Sequence, residues 1–141
     1  PGPFTGLRIG IAAARAFAVG RGVAVVPVVS HDAIAVRRFD SGVDGDLVVV
    51  TDARRREVAW TRYSGLSASG APLRVEGPLL AERASFDVVD AERLDATDVP
   101  ADRVALLAAL TLRGDRPGDT DEPVYLRAPD VTLSTRKRVT R

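Results

Sequence analysis

The sequence predicts a mixed α/β protein, and three observations carry that expectation. A segment near the start reads as a helix with almost no polar face. Two runs, Val23–Val29 and Leu47–Thr51, are continuously apolar and bounded by turn residues, as buried strands are. A later stretch, Ala101–Leu112, places Val104, Leu107, Ala108, Leu110 and Leu112 at helical spacing and ends at Gly114.

The first helix is expected after Thr5, whose hydroxyl can accept from a backbone N–H one turn on. Phe4 precedes it and can pack on Ile9 as a staple, and Gly20 and Gly22 supply the stop. Gly6, Gly10, Ala14 and Ala18 recur every four residues, beside a stripe of Leu7, Ile11 and Ala14, and Arg8 and Arg15 are the only charges within the helix. A helix apolar on nearly all sides needs neighbours on most of them. The two arginines and the short length argue against a membrane span. The sequence has no methionine, even at position 1. With little to cover the helix from its own N-terminal side, residues preceding Pro1 are expected in the natural protein.

Val23–Val29 follows as a buried strand, with Pro27 marking an edge or an irregular end. Ser30 should cap a short helix over His31–Phe39, and Asp40–Asp46 is turn-rich. Leu47–Thr51 and Val58–Tyr63 alternate around a polar turn and predict an antiparallel hairpin. Ser64–Ala71 reads as a loop and Leu73–Glu76 as a third strand. Leu79–Ala84 fits helix or strand, and Phe86–Val89 is strand-like. Residues 116–123 form a linker, Val124–Arg127 is extended, and the end of the chain is basic.

Composition excludes several chemistries. Of 141 residues, 45% are apolar, and 20 basic side chains nearly balance 19 acidic ones, for a net charge of +1. That balance does not mark a dedicated nucleic-acid binder. With no cysteine there is no disulfide, thiolate nucleophile or cysteine zinc site. His31 is the sole histidine. It rules out two-histidine metal motifs, and it reads as a cap or surface residue rather than a relay member. Asp44 and Asp46 lack further ligands at calcium-loop spacing. Gly2 and Gly6 before a helix offer only a weak phosphate cradle, without a phosphate-loop motif. No catalytic, cofactor-binding or metal-ligating residue is assigned. Arg54, Arg55 and Arg56 form a basic point at the expected hairpin tip, read either as a solvated turn or as an RNA contact. Arg136, Lys137, Arg138 and Arg141 carry the same two readings. No targeting segment is visible, so a cytoplasmic location is expected.

Three ordered blocks resemble one family. Pro1-Gly2-Pro3-Phe4-Thr5-Gly6-Leu7-Arg8 is similar to the G-P-G-S-F-T-G-[LV]-R signature of the bacterial TsaB (YeaZ) family. Thr51–Trp60 resembles its D-A-R-x-G-E-V-Y-W hairpin, and Glu122–Arg127 its E-P-x-Y-L-R ending. Pro3 stands where the family has Ser, Arg56 where it has Gly, and Ala59 where it has Tyr. The resemblance implies an actin-like ATPase (ASKHA, ribonuclease-H-like) fold of two lobes with the N-terminal lobe incomplete. Residues 1–44 would be the remainder of that lobe, 45–127 the C-terminal lobe, and 128–141 a basic tail. It also implies a non-catalytic partner of a TsaD-like threonylcarbamoyltransferase in tRNA modification. A TsaE-like ATPase would join the wider complex, a homodimer is the alternative assembly, and tRNA would be met through the complex. Phe4, Leu7, Arg8, Ile11, Ala14, Arg15 and Ala18 are then the candidate interface. Competing readings are a glycoprotease-like metallopeptidase and a nucleotide-binding protein.

Overall fold

The computed structural model describes residues 4–127, except for the side chain of Phe4. The expectations for Pro1–Pro3, for the Phe4 staple and for the basic tail lie outside the described residues. Elements run α1 (Phe4–Arg21), α2 (Ser30–Asp40), β1 (Leu47–Arg54), β2 (Glu57–Leu66), β3 (Pro72–Glu82), β4 (Glu92–Asp95) and α3 (Ala101–Arg113). The strands make one sheet in the order β3-β2-β1-β4. β1–β2 and β2–β3 are antiparallel, and β1–β4 is parallel.

Strand alternation divides the core in two. Leu47 opposes Tyr63 and Val49 opposes Thr61, and these side chains face α2. They meet Ile34, Ala35 and Phe39 of α2. On its other side α2 presents Ala33 and Val36 to Leu107 and Leu110 of α3. Val48 and Val50 point the opposite way with Val58, and that face is covered by Phe86 and Val88 with Trp60 alongside. The Trp60 and Phe86 rings lie 5.4 Å apart. One sheet face thus takes helices and the other an irregular segment, so both faces of β1 are buried.

Several expectations needed correction. Val23–Val29 is not a strand of the sheet. It connects α1 to α2 without regular secondary structure, with Val23 56% and Val25 44% exposed. Its apolar run has the composition of a doubly covered strand, but no strand among the described residues lies beside it to supply a ladder. Thr5 sits inside the first turn of α1, which begins at Phe4, and α2 starts at Ser30 without a side-chain cap bond. Leu79–Ala84 resolves as strand as far as Glu82, because β3 pairs with β2 along its length through register shifts. Phe86–Val89 is not a strand but the cover of the outer sheet face. β4, Glu92–Asp95, was not anticipated. Only Leu94 in it is apolar, and its place comes from pairing with β1. The hairpin and α3 match the expectation, and Gly114, at φ 79°, closes α3, its N–H donating to the Thr111 carbonyl and the following Asp115 N–H to the Leu110 carbonyl.

Candidate partner-docking site

α1 is held by polar contacts rather than by a core. Arg8 donates to the Tyr125 hydroxyl at 3.2 Å and lies over its ring at 5.6 Å. Arg15 pairs with Asp121 at 3.0 Å. Of its described side chains only that of Ala18 is buried. At 100° per residue, Leu7, Ile11, Ala14 and Ala18 form one stripe, flanked by Arg8 and Arg15. The arginine contacts turn that side toward residues 121–125. Ile9, Ala13, Ala16 and Gly20 form the opposite stripe, with Phe17 beside it. Ile9 is 64% exposed and Phe17 67%. Of the candidate interface residues named from sequence, Leu7 and Ile11 remain 49% and 36% exposed, Arg8 and Arg15 contact residues 121–125, and only Ala18 is buried; the side chain of Phe4 is not described. The large apolar groups on the outward side are ones the sequence pattern did not single out.

The same terminal segment reaches the hairpin. Arg127 pairs with Glu57 at the start of β2. Residues 121–127 thus join α1 to the β1–β2 hairpin, and three blocks distant in sequence become one continuous surface. Arg54, Arg55 and Arg56 are all exposed at its tip.

Behind this surface the titratable groups are engaged internally. His31 is buried, not on the surface or capping, which corrects the sequence expectation. Its Nδ1 lies 2.7 Å from Thr61 Oγ1 and its Nε2 2.9 Å from Thr51 Oγ1. One hydroxyl accepts from the protonated ring nitrogen and the other donates to the bare one, so the neutral ring is fully satisfied. Burial, with the positive charge of Arg74 adding, lowers its pKa from 6.5 to about 4. Because the unfolded chain takes up this proton first, stability is complete above pH 6.5 and falls as pH drops toward 4, by roughly 3 kcal/mol in all. An NMR titration should find the ring neutral to near pH 4, and a midpoint near 6.5 would contradict the burial.

Asp32, next in the chain, anchors a second cluster. It accepts from Tyr63 Oη at 2.8 Å, from Arg74 at 2.7 Å and from Arg116 at 3.3 Å. Asp119 accepts from Arg116 at 2.7 Å and from the Val29 backbone N–H at 3.2 Å. Burial, then the Asp32 charge, push the Tyr63 hydroxyl well above its ordinary pKa, so it stays a donor. The cluster lines a groove of about 480 Å³ with Ser67, Leu73 and Gly118. No group of three or more metal-ligating side chains occurs among the described residues, and no helix there is long and apolar enough to cross a membrane.

Residues 1–72, about half of the chain, match the family described as TsaD, tRNA N6-adenosine threonylcarbamoyltransferase. YeaZ from Pseudomonas aeruginosa superposes with a TM-score of 0.69 at 25% identity, over 89% of this chain and 70% of that one. The chain is a YeaZ-like (TsaB-like) member of the TsaD family. A second Pseudomonas aeruginosa structure, of an uncharacterized protein with similarity to peptidase YeaZ, gives the same TM-score and identity over 90% of this chain and 70% of that one. The YeaZ-like chain thus has the actin-like, ribonuclease-H-like α/β fold. Uncharacterized proteins of Mycobacterium bovis and Mycobacterium tuberculosis are 38% identical over 137 residues, 93% of this chain and 62% of theirs. One from Mycobacterium leprae is 45% identical over 87 residues, 62% of this chain and 21% of that protein. The YeaZ-like chain therefore spans less than two thirds of the length of the curated relatives it matches.

Proposed function

We propose that this chain is a non-catalytic docking subunit in the threonylcarbamoylation of tRNA adenosine, presenting α1 to a TsaD-like transferase. The observation that carries the reading is the outward face of α1. Ile9 and Phe17 are 64% and 67% exposed, and large exposed apolar groups on one face mark interaction surfaces. The Arg8–Tyr125 and Arg15–Asp121 contacts fix which face is offered. The capture of both His31 nitrogens by threonine hydroxyls supports a supporting role rather than a catalytic one. A TsaE-like ATPase would join the wider complex, and tRNA would be met through the assembly.

Co-purification with a TsaD-like protein tests this. The double variant Ile9→Asp, Phe17→Asp should weaken the complex at least about thirtyfold, because buried aromatic and aliphatic anchors dominate interfaces. Both side chains are exposed in the free chain, so Trp60 fluorescence and the unfolding midpoint should hold. An undiminished complex would refute the reading. Loss of self-association alone, with the transferase complex intact, would reassign α1 to a homodimer.

A further inference from the structure

The turn between β1 and β2 uses residues that its geometry disfavours. Arg54 opposes Glu57 in register, so Arg55 and Arg56 make a two-residue loop. Their φ values, 51° and 64°, are both positive, as a type I′ turn requires. Such turns favour Asn-Gly, because a Cβ is crowded in left-handed backbone. Arg54 is left-handed as well, at φ 62°, where the register shifts by one residue. Three of the four non-glycine residues with positive φ among the described residues are these consecutive arginines. Strained backbone concentrates at functional positions.

The surroundings reinforce the positive charge. Arg83 pairs with Asp52 and donates its backbone N–H to the Arg56 carbonyl at 2.8 Å. Arg127 pairs with Glu57, and Glu82 stands opposite Glu57 in the ladder. Five guanidinium groups therefore gather against three carboxylates, on a chain whose net charge is only +1. The tip is also bare of apolar anchors, since no large hydrophobic is exposed between residues 52 and 57 or between 82 and 85. Protein interfaces use such anchors, as α1 does, whereas contacts to a phosphate backbone do not need them.

We propose that the Arg54–Arg56 tip is a docking point for the phosphate backbone of RNA. The planar guanidinium fork matches phosphate oxygens bidentately. Three arginines in succession on a tight turn reach neighbouring phosphates of a folded RNA by shape and charge, without reading bases. The proposal rests on the tRNA-modification reading above, which makes an unmodified tRNA the RNA to test.

The experiment measures binding of the chain to an unmodified tRNA transcript by fluorescence anisotropy over a salt series. The variant Arg55→Asn, Arg56→Gly supplies the residues a type I′ turn favours, so its Tm should rise. Its tRNA affinity at low salt should fall at least about fivefold, and the salt slope should shrink by roughly 1.5. A more stable protein that binds RNA less well cannot owe the loss to unfolding. Unchanged affinity and slope would overturn the proposal, as would absence of tRNA binding by the native chain at low salt. Loss of the TsaD-like complex through this variant would also overturn it, assigning the tip to protein. Retention of that complex with RNA binding reduced supports it. Failure of the α1 variants to disturb the transferase complex would count against the docking-subunit reading alone.

Discussion

Replacing Asp32 by alanine is expected to cost about 3–5 kcal/mol of folding stability, the penalty for breaking a buried ion pair from one side. Asp32 is 3% exposed and receives hydrogen bonds from Tyr63, Arg74 and Arg116. Its removal leaves Arg116, itself almost wholly buried, with Asp119 alone among the described residues to pair with its charge. Arg116 already has one nitrogen, Nη1, without a partner among the described residues, so the site has little spare capacity to rearrange. Tyr63→Phe alone should cost about 1–1.5 kcal/mol for its lost bond. Combined with Asp32→Ala it should add much less than that, because the acceptor is already gone. Urea unfolding of the two single variants and the double variant measures this. A loss below about 1 kcal/mol for Asp32→Ala would show that the cluster contributes little.

Gly77→Ala should be the most damaging glycine substitution of those described. A Cβ at Gly77 would lie 2.6 Å from the Trp60 carbonyl oxygen and 3.0 Å from Thr61 Cα, both backbone atoms that cannot swing away. Its φ is +92°, outside the range that side chains favour. β3 carries one extra residue here, between the Glu76–Arg62 and Leu79–Trp60 pairs, and a bulge of this kind brings the two backbones together. The expected loss is about 3 kcal/mol or more, combining left-handed strain with displacement of β2. Gly114→Ala is the control. Gly114 has φ +79° but open space around its Cβ position, so it should lose only about 1 kcal/mol. The gap between the two midpoints isolates the steric part, and equal losses would contradict it.

The β1–β2 hairpin and α3 were legible in the sequence because each writes its own period. Leu47–Val50 and Val58–Tyr63 flank a polar turn, and Val104, Leu107 and Leu110 repeat at helical spacing before Gly114. β4 was not legible, since a strand of Glu-Arg-Leu-Asp has no periodic signal and depends on β1 for its existence. Val23–Val29 shows the opposite case, a strand composition without a ladder. At the site, the three family-like blocks were visible separately, but not that Tyr125 and Arg127 tie Arg8 of the helix to Glu57 of the hairpin. The roll of α1 was also hidden, because a helix apolar all round does not announce which side is taken. Asp32, Arg74 and the Arg116–Asp119 pair come from three separate segments, and no local pattern marks side chains that meet only in the folded chain.

The apolar run between α1 and α2 also bears on solubility. Seven successive apolar residues with no strand beside them among the described residues would, if uninterrupted, template edge-to-edge association between molecules. Zipper-forming segments need about six or seven uninterrupted residues and exclude proline. Pro27 divides the run into Val23–Val26 and Val28–Val29, each too short to seed a fibril, and withholds an N–H at its centre. The proline that weakened the case for a strand also breaks the uninterrupted pattern that a zipper needs.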